Sequence, residues 1–400
     1  MPSLPTPNLD FKLNLGGLGR RSGADVVGLD IQPGHIAAVQ ARVNGSIVVE
    51  HAAEAALPAD IVREGEVLDE GVLSEALNEL FKDSALSRRV RLGVANQRTV
   101  LRTLELPPVE DRKELEAAVR FLAEDQVPMP LSNAVLDFHS LGIHETHEGP
   151  RQQVVLVAAQ RDMIQRLLSA ARDAGLRPEG IDLSAFALIR SLYRPDPEQS
   201  TRVLYLNVDG LTNMAIAEGT ICRFTRVVGG GIEAIASQLA ERRAIPLVEA
   251  RELIAAFDLT VPPPPEQAAQ PVPVAATSEP RAANDPEAPT AIVEEAVSNE
   301  VARAPDAEVR AVLESGIREI AGEVRNSLDF HRSQEGGGEV SRVVLSGAAL
   351  DLAGFAEALQ EQLGIQVERE SVHFDEQELG GISTHRLTIA AGLAVEEAPR

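Results

Sequence analysis

The sequence holds one cysteine, no tryptophan, two tyrosines and three lysines in 400 residues. Each shortage removes a class of chemistry. The single thiol, Cys222, excludes an intramolecular disulfide and a cysteine-based zinc cluster. The lysines are Lys12, Lys82 and Lys113, and none follows a glycine, so the G-x-x-x-x-G-K-[ST] phosphate loop is absent. With few aromatics there is no stacking platform for single-stranded nucleic acid. No Gly-x-Ser-x-Gly elbow offers a hydrolase nucleophile. A formal net charge of −24 opposes binding to nucleic acid, which relies on basic surface to release counterions, and to anionic lipid. No apolar run approaches the ~20 residues that cross a bilayer. The stretch Met1 to Arg21 contains prolines and puts its basic pair after its leucines, unlike a secretory leader. These exclusions predict a cytoplasmic protein of roughly two to four domain-sized units.

What is present is a mixed α/β pattern. Strands are predicted at Val26–Ile31, Ile36–Ala41 and Ser46–His51, with Asn44-Gly45 as a hairpin turn between the last two. Further strands are predicted at Val90–Ala95, Val100–Leu106, Val135–Leu141, Gln153–Ala159, Val203–Val208, Asn213–Ala217, Ile221–Val228 and Val340–Leu345. Apolar residues at helical spacing predict helices at Leu73–Phe81, Asp111–Gln126, Met163–Ala174, Phe186–Tyr193, Ile232–Arg243, Val248–Phe257, 306–332, Leu352–Leu363 and Leu387–Val395. Residues 261–305, rich in Pro, Ala and acids, bury too little apolar surface to offset chain entropy and read as a disordered insertion inside a domain.

Three places join a strand to a small-residue turn: Gly28-Leu29-Asp30-Ile31-Gln32-Pro33-Gly34, then Asn207-Val208-Asp209-Gly210-Leu211-Thr212 with Gly229-Gly230-Gly231 beyond it, then Ser346-Gly347-Ala348-Ala349. Backbone N–H groups of two such facing turns can hold phosphates, with acids on a magnesium ion. One turn alone is as well read as a hairpin. In order and spacing the three resemble the actin-like ATPase superfamily, and within it the PilM family, related to the division protein FtsA. The PilM pattern is followed most closely at Val94-Ala95-Asn96-Gln97-Arg98, Leu106-Pro107-Pro108, Glu114–Phe121, Val135–Phe138, Ala174–Pro178 and Ser327–Glu335.

The resemblance implies an actin-like (ribonuclease H-like, or ASKHA) two-lobed α/β fold with an FtsA/PilM-type inserted subdomain. Residues 1–23, with no sustained apolar period, read as a flexible tail. The first lobe takes 24–87, 161–200 and 380–400, the inserted subdomain 88–160, and the second lobe 201–260 and 306–379. It implies ATP and magnesium in the cleft, with Asp30, Gln32, Gly34, Asn207, Asp209, Gly210, Thr212, Gly230, Gly231, Gly347 and Ala348 around the cofactor and Asp30 and Asp209 toward the metal. It also implies a scaffold at the inner face of the cytoplasmic membrane, serving type IV pilus assembly and twitching. The partners would be the cytoplasmic N-terminus of a PilN-like membrane protein and the pilus motor ATPases, with self-association left open. Arg120 and Glu124, one helical turn apart, would border the partner groove; otherwise they read as a surface ion pair.

The departures bear on activity. Where the family pattern has Gly after the first Asp-Ile/Leu pair and a basic residue five further on, this chain has Gln32 and Ala37. The acid that opens the second turn is Leu206 or, with one deletion, Asn207, and the third turn's glycine run is Gly347-Ala348-Ala349. Asp209 reads equally as a turn residue. Phosphoryl transfer depends on positioned cations and acids, so weak or absent ATPase is expected, against the alternative of an active actin-like ATPase or an ASKHA-type kinase. His139, His144 and His147, with Glu145 and Glu148, read as a strand end and a solvated polar turn in preference to a metal site. Cys222 reads as a small core residue.

Overall fold

The computed structural model describes residues 26–58, 60–82, 84–147, 149–195, 201–262, 291–334, 336–374, 382–396 and 398. Two sheets repeat one strand order. In the first, β1 (Val27–Gln32), β2 (His35–Asn44) and β3 (Ser46–Ala56) form an antiparallel meander, and β1 is continued in parallel by β6 (Arg89–Val94) and β10 (Arg177–Leu183). In the second, β11 (Arg202–Val208), β12 (Thr212–Glu218) and β13 (Ile221–Val228) form the meander, and β11 is continued by β14 (Val340–Ser346) and β15 (Val367–Arg369). A short hairpin, β4 (Val62–Arg63) and β5 (Glu66–Val67), follows the first meander. The repetition brings the β1–β2 turn and the β11–β12 turn into equivalent positions, one per lobe.

Strands buried on both faces read as unbroken apolar runs. In β11, Leu204, Leu206 and Val208 point to a core shared with α5 (Ile232–Arg243), α6 (Leu247–Ala255), α7 (Ala291–Ser333) and α8 (Phe355–Leu363). Val203 and Tyr205, one residue out of phase, point to the first lobe's core with α1 (Glu70–Lys82), α3 (Arg161–Asp173) and α4 (Ser184–Leu192). α9 (Thr388–Ala394) packs on β1 and α4. Gly28 and Gly392 admit it: a Cβ on either would lie 1.9 Å from Ala390 O or 2.0 Å from Ala187 O.

A third sheet stands apart, with β9 (Gly149–Gln160) between β7 (Val100–Leu106) and β8 (Ala134–Thr146). Val155, Val157 and Ala159 of β9 face the first lobe's core. Val154, Leu156 and Ala158 face α2 (Arg112–Gln126) through Leu115, Val119 and Ala123. Asp111 caps α2, its Oδ1 accepting from the N–H groups of Lys113 (2.9 Å) and Glu114 (3.0 Å).

The structure differs from the sequence reading at several points. The separate sheet starts at Val100, not at 88, because β6 runs between β1 and β10 in the first lobe. β16 (His373–Phe374), assigned to the second lobe, pairs with β3 of the first. β10 was not foreseen; Pro178 disguises it, tolerated because β10 is an edge strand with an irregularity at that point. Gly354, left-handed at φ 85°, delays α8 to Phe355 after a short 3-10 turn. Of the expected disordered insertion 261–305, residues 263–290 lie outside the described residues. Residues 291–305, by contrast, are helical: the run is rich in Ala and Glu, and α7 begins at Ala291, not 306.

Candidate ligand cleft between the lobes

Where β1 and β11 end, the two lobes touch. Gly210 has no room for a side chain, since a Cβ would lie 2.4 Å from Pro33 O. Gly231, before α5, approaches Asp209 O at 2.3 Å in the same sense, and Gly347, at φ 92°, approaches Val208 O at 2.6 Å. All three turns identified in the sequence therefore meet, and the small residues serve contact between backbones. Gln32 spans the lobes: its Nε2 donates to Asp30 Oδ2 at 2.7 Å and its Oε1 accepts from Leu211 N–H at 3.2 Å. Asn207 Nδ2 donates to Ser346 Oγ at 3.1 Å, joining the second turn to the third, and Thr212 Oγ donates to Gly230 O.

Beyond this contact opens a cleft of about 470 Å³. Of the eleven residues assigned to the cofactor, Gly34, Asp209, Gly210 and Ala348 line it. Thr212, Gly230 and Gly231 line a separate space of about 170 Å³ between α5 and α7. Asp30, Gln32, Asn207 and Gly347 line neither. The sequence reading missed most of the cleft's charge: Glu54, Glu233, Glu252, Asp351, Arg251, Arg386 and His35. No local signal joins positions so far apart in the chain. Several are already paired: His35 Nε2 with Glu54 at 3.1 Å, Arg251 Nε with Glu233 at 2.9 Å, and His385 Nδ1 with Asp351 at 2.8 Å.

Burial governs the two acids assigned to a metal. Asp30, 4% exposed, is pushed up to about 6 by desolvation, with the Asp209 charge adding and the Gln32 hydrogen bond opposing. Asp209 is also raised by desolvation, against the pull of Arg386 and His35. A magnesium triphosphate does not fit these residues. The Leu211 N–H and Asp30 Oδ2 are held by Gln32, and five carboxylates line the cleft against two guanidinium groups.

Arg120 and Glu124 are elsewhere, exposed on the outer face of α2 beside Phe121, itself 72% exposed. Among the described residues no His, Cys, Asp and Glu group is arranged to hold a metal. His144 instead lies 3.4 Å from Glu105. Cys222 is buried in β13, and desolvation pushes its thiol up to about 12.

Residues 28–224 match the family model for type IV pilus assembly protein PilM. The chain resembles PilM. Among solved structures, a chain from a "PilM-PilN type IV pilus biogenesis complex" is 22% identical, covering 94% of this chain and 98% of that one, with a TM-score of 0.71. The ethanolamine utilization protein EutJ from Carboxydothermus hydrogenoformans is 15% identical, covering 92% and 88%, at 0.47. MreB5 of Spiroplasma citri bound to AMPPNP is 10% identical, covering 92% and 94%, at 0.45. The fold is the actin-like two-lobed one. The PilM match takes in the first lobe apart from β16 and α9, the separate sheet with α2, and β11 and β12, so the likeness read at 94–138 and 174–178 falls within it and that at 327–335 lies outside.

Proposed function

We propose that this chain is a scaffold of type IV pilus assembly that captures an extended peptide from the cytoplasmic N-terminus of a PilN-like membrane protein. The observation that carries the reading is the PilM match over residues 28–224, the part that holds the separate sheet and α2. A fold shared along nearly the whole length with a chain of a PilM–PilN type IV pilus biogenesis complex supports it. Membrane association would be indirect: among the described residues no helix is long and apolar enough to cross a bilayer. The protein would sit at the cytoplasmic face of the inner membrane and connect the platform to motor ATPases. In this reading the cleft is degenerate, ATP and magnesium are not required, and hydrolysis is weak or absent.

The peptide groove would lie beside the separate sheet, bordered by Arg120 and Glu124. A tail that orders on binding loses conformational entropy, so affinity must come from a few buried anchors and main-chain pairing. Calorimetric titration of the protein with the N-terminal peptide of a PilN-like protein should give micromolar or tighter binding. Absence of binding at high peptide concentration, with partner-free adhesion to liposomes, would overturn the proposal. A magnesium-dependent ATPase in the ordinary phosphotransferase range, roughly 1–100 per second, abolished by Asp30→Ala, would favour the active-ATPase alternative.

A further inference from the structure

We propose that Gln32 is a built-in bridge that holds the two lobes closed without any ligand between their facing turns. The inference rests on reading the cleft as degenerate and deepens it, by naming what does the closing.

Gln32 ends β1 in the first lobe and is 2% exposed. Its partner Leu211, 1% exposed, lies in the β11–β12 turn of the second lobe. The amide spends both ends inside the protein, donating to Asp30 and accepting from Leu211 N–H. The relay continues: Asp209 N–H donates to Leu211 O at 3.0 Å, and Ile232 N–H, at the start of α5, donates to Asp209 O at 2.8 Å. One hydrogen-bonded path thus runs from β1 through the second turn to α5. At its side Gly210 and Pro33 are in backbone contact.

Side-chain chemistry singles out glutamine here. An amide offers a donor and an acceptor on one planar group. Glutamate would accept from Leu211 but set a second carboxylate against Asp30. Alanine would leave the Leu211 N–H and the Asp30 carboxyl buried without their partner, which costs more than the net value of a hydrogen bond. Gln32 touches no reacting group; it is a positioning residue, acting on the relation between lobes.

Hydrogen exchange read by mass spectrometry on the full chain tests this. Gln32→Ala should speed exchange in peptides covering 207–214 by on the order of tenfold to a hundredfold, since Leu211 loses its acceptor. Gln32→Asn, one methylene shorter, should act in the same direction and serves if the alanine variant does not fold. Gln152→Ala is the control. Gln152 is also buried and bridges two elements, its Oε1 accepting from Val109 N–H and its Nε2 donating to Ser140 Oγ, both at 2.9 Å. It belongs to the separate sheet, so its loss should leave 207–214 unchanged. Equal exchange in wild type and both Gln32 variants, or an equal rise in Gln152→Ala, overturns the bridge. Adding Mg·ATP to the wild type tests the underlying reading separately. Unchanged exchange at 207–214 supports it. Protection there overturns the degenerate cleft, whatever the variants do.

Discussion

Two buried groups, Asp30 and His331, make stability respond to pH in opposite directions. Asp30 has its carboxyl raised from 3.8 to about 6 by burial. Between those values the folded chain keeps a proton that the unfolded chain has released. Asp30 therefore lowers stability progressively as pH rises through that window, and the difference corresponds to about 3 kcal/mol. Asp30→Asn keeps the side chain neutral. Chemical denaturation should show this variant gaining on the wild type between about pH 4 and pH 7; a variant that loses ground instead would mean an ionised, favourably held Asp30. His331 works in the other direction. It is 3% exposed, neither ring nitrogen has a hydrogen-bond partner, and burial, with Arg202 adding, lowers its pKa. Below 6.5 the unfolded chain gains a proton that the folded chain resists, so stability falls on acidification. His331→Phe, beside Phe224 with ring centroids now 5.9 Å apart, should flatten that fall; an unchanged acid limb would remove His331 as its cause. Gln32 was legible in the sequence as an odd residue in a turn. Its role was not, because Leu211 lies 179 positions away and only the fold brings the two together.

At the scale of elements, glycine decides how closely α9 seats on β1 and α4. Gly392→Val would force a branched side chain into Ala187 O, which a Cβ already approaches to 2.0 Å. This variant should lose more than about 3 kcal/mol. Gly219→Ala, in an open turn at φ 60° with nothing within 4 Å, should lose only about 1 kcal/mol. Thermal melts of equal loss would contradict the packing account. On α2, Arg120→Glu should weaken peptide binding and leave the melting temperature nearly unchanged, because Arg120 is exposed while Leu115, Val119 and Ala123 hold the helix. Binding that survives the reversal would move the groove away from α2. Most elements were legible from periodicity, including α2 and both meanders, although Asp111, read as the first residue of α2, is its cap. β10 was hidden by a proline that only an edge position tolerates. The early start of α7 was hidden by acidic composition that reads as disorder although Ala and Glu favour helix. The three turns of the cleft were legible as turns. Their closure on one another was not, since no local pattern reports a backbone approach between lobes.

For the whole molecule, two sheets of one strand order face each other across turns that are in contact, and the charged cleft beyond is largely paired within the chain. On the proposed reading, a body held closed in this way would need no nucleotide to present a peptide groove beside its separate sheet. The most direct measurement is the calorimetric titration of the full chain with the PilN-like peptide, run in nucleotide-free buffer and repeated with excess Mg·ATP. Saturable binding with the same Kd in both is the result predicted here. Binding that appears only with nucleotide, or that tightens tenfold or more with it, would contradict a scaffold whose lobes are closed by its own residues.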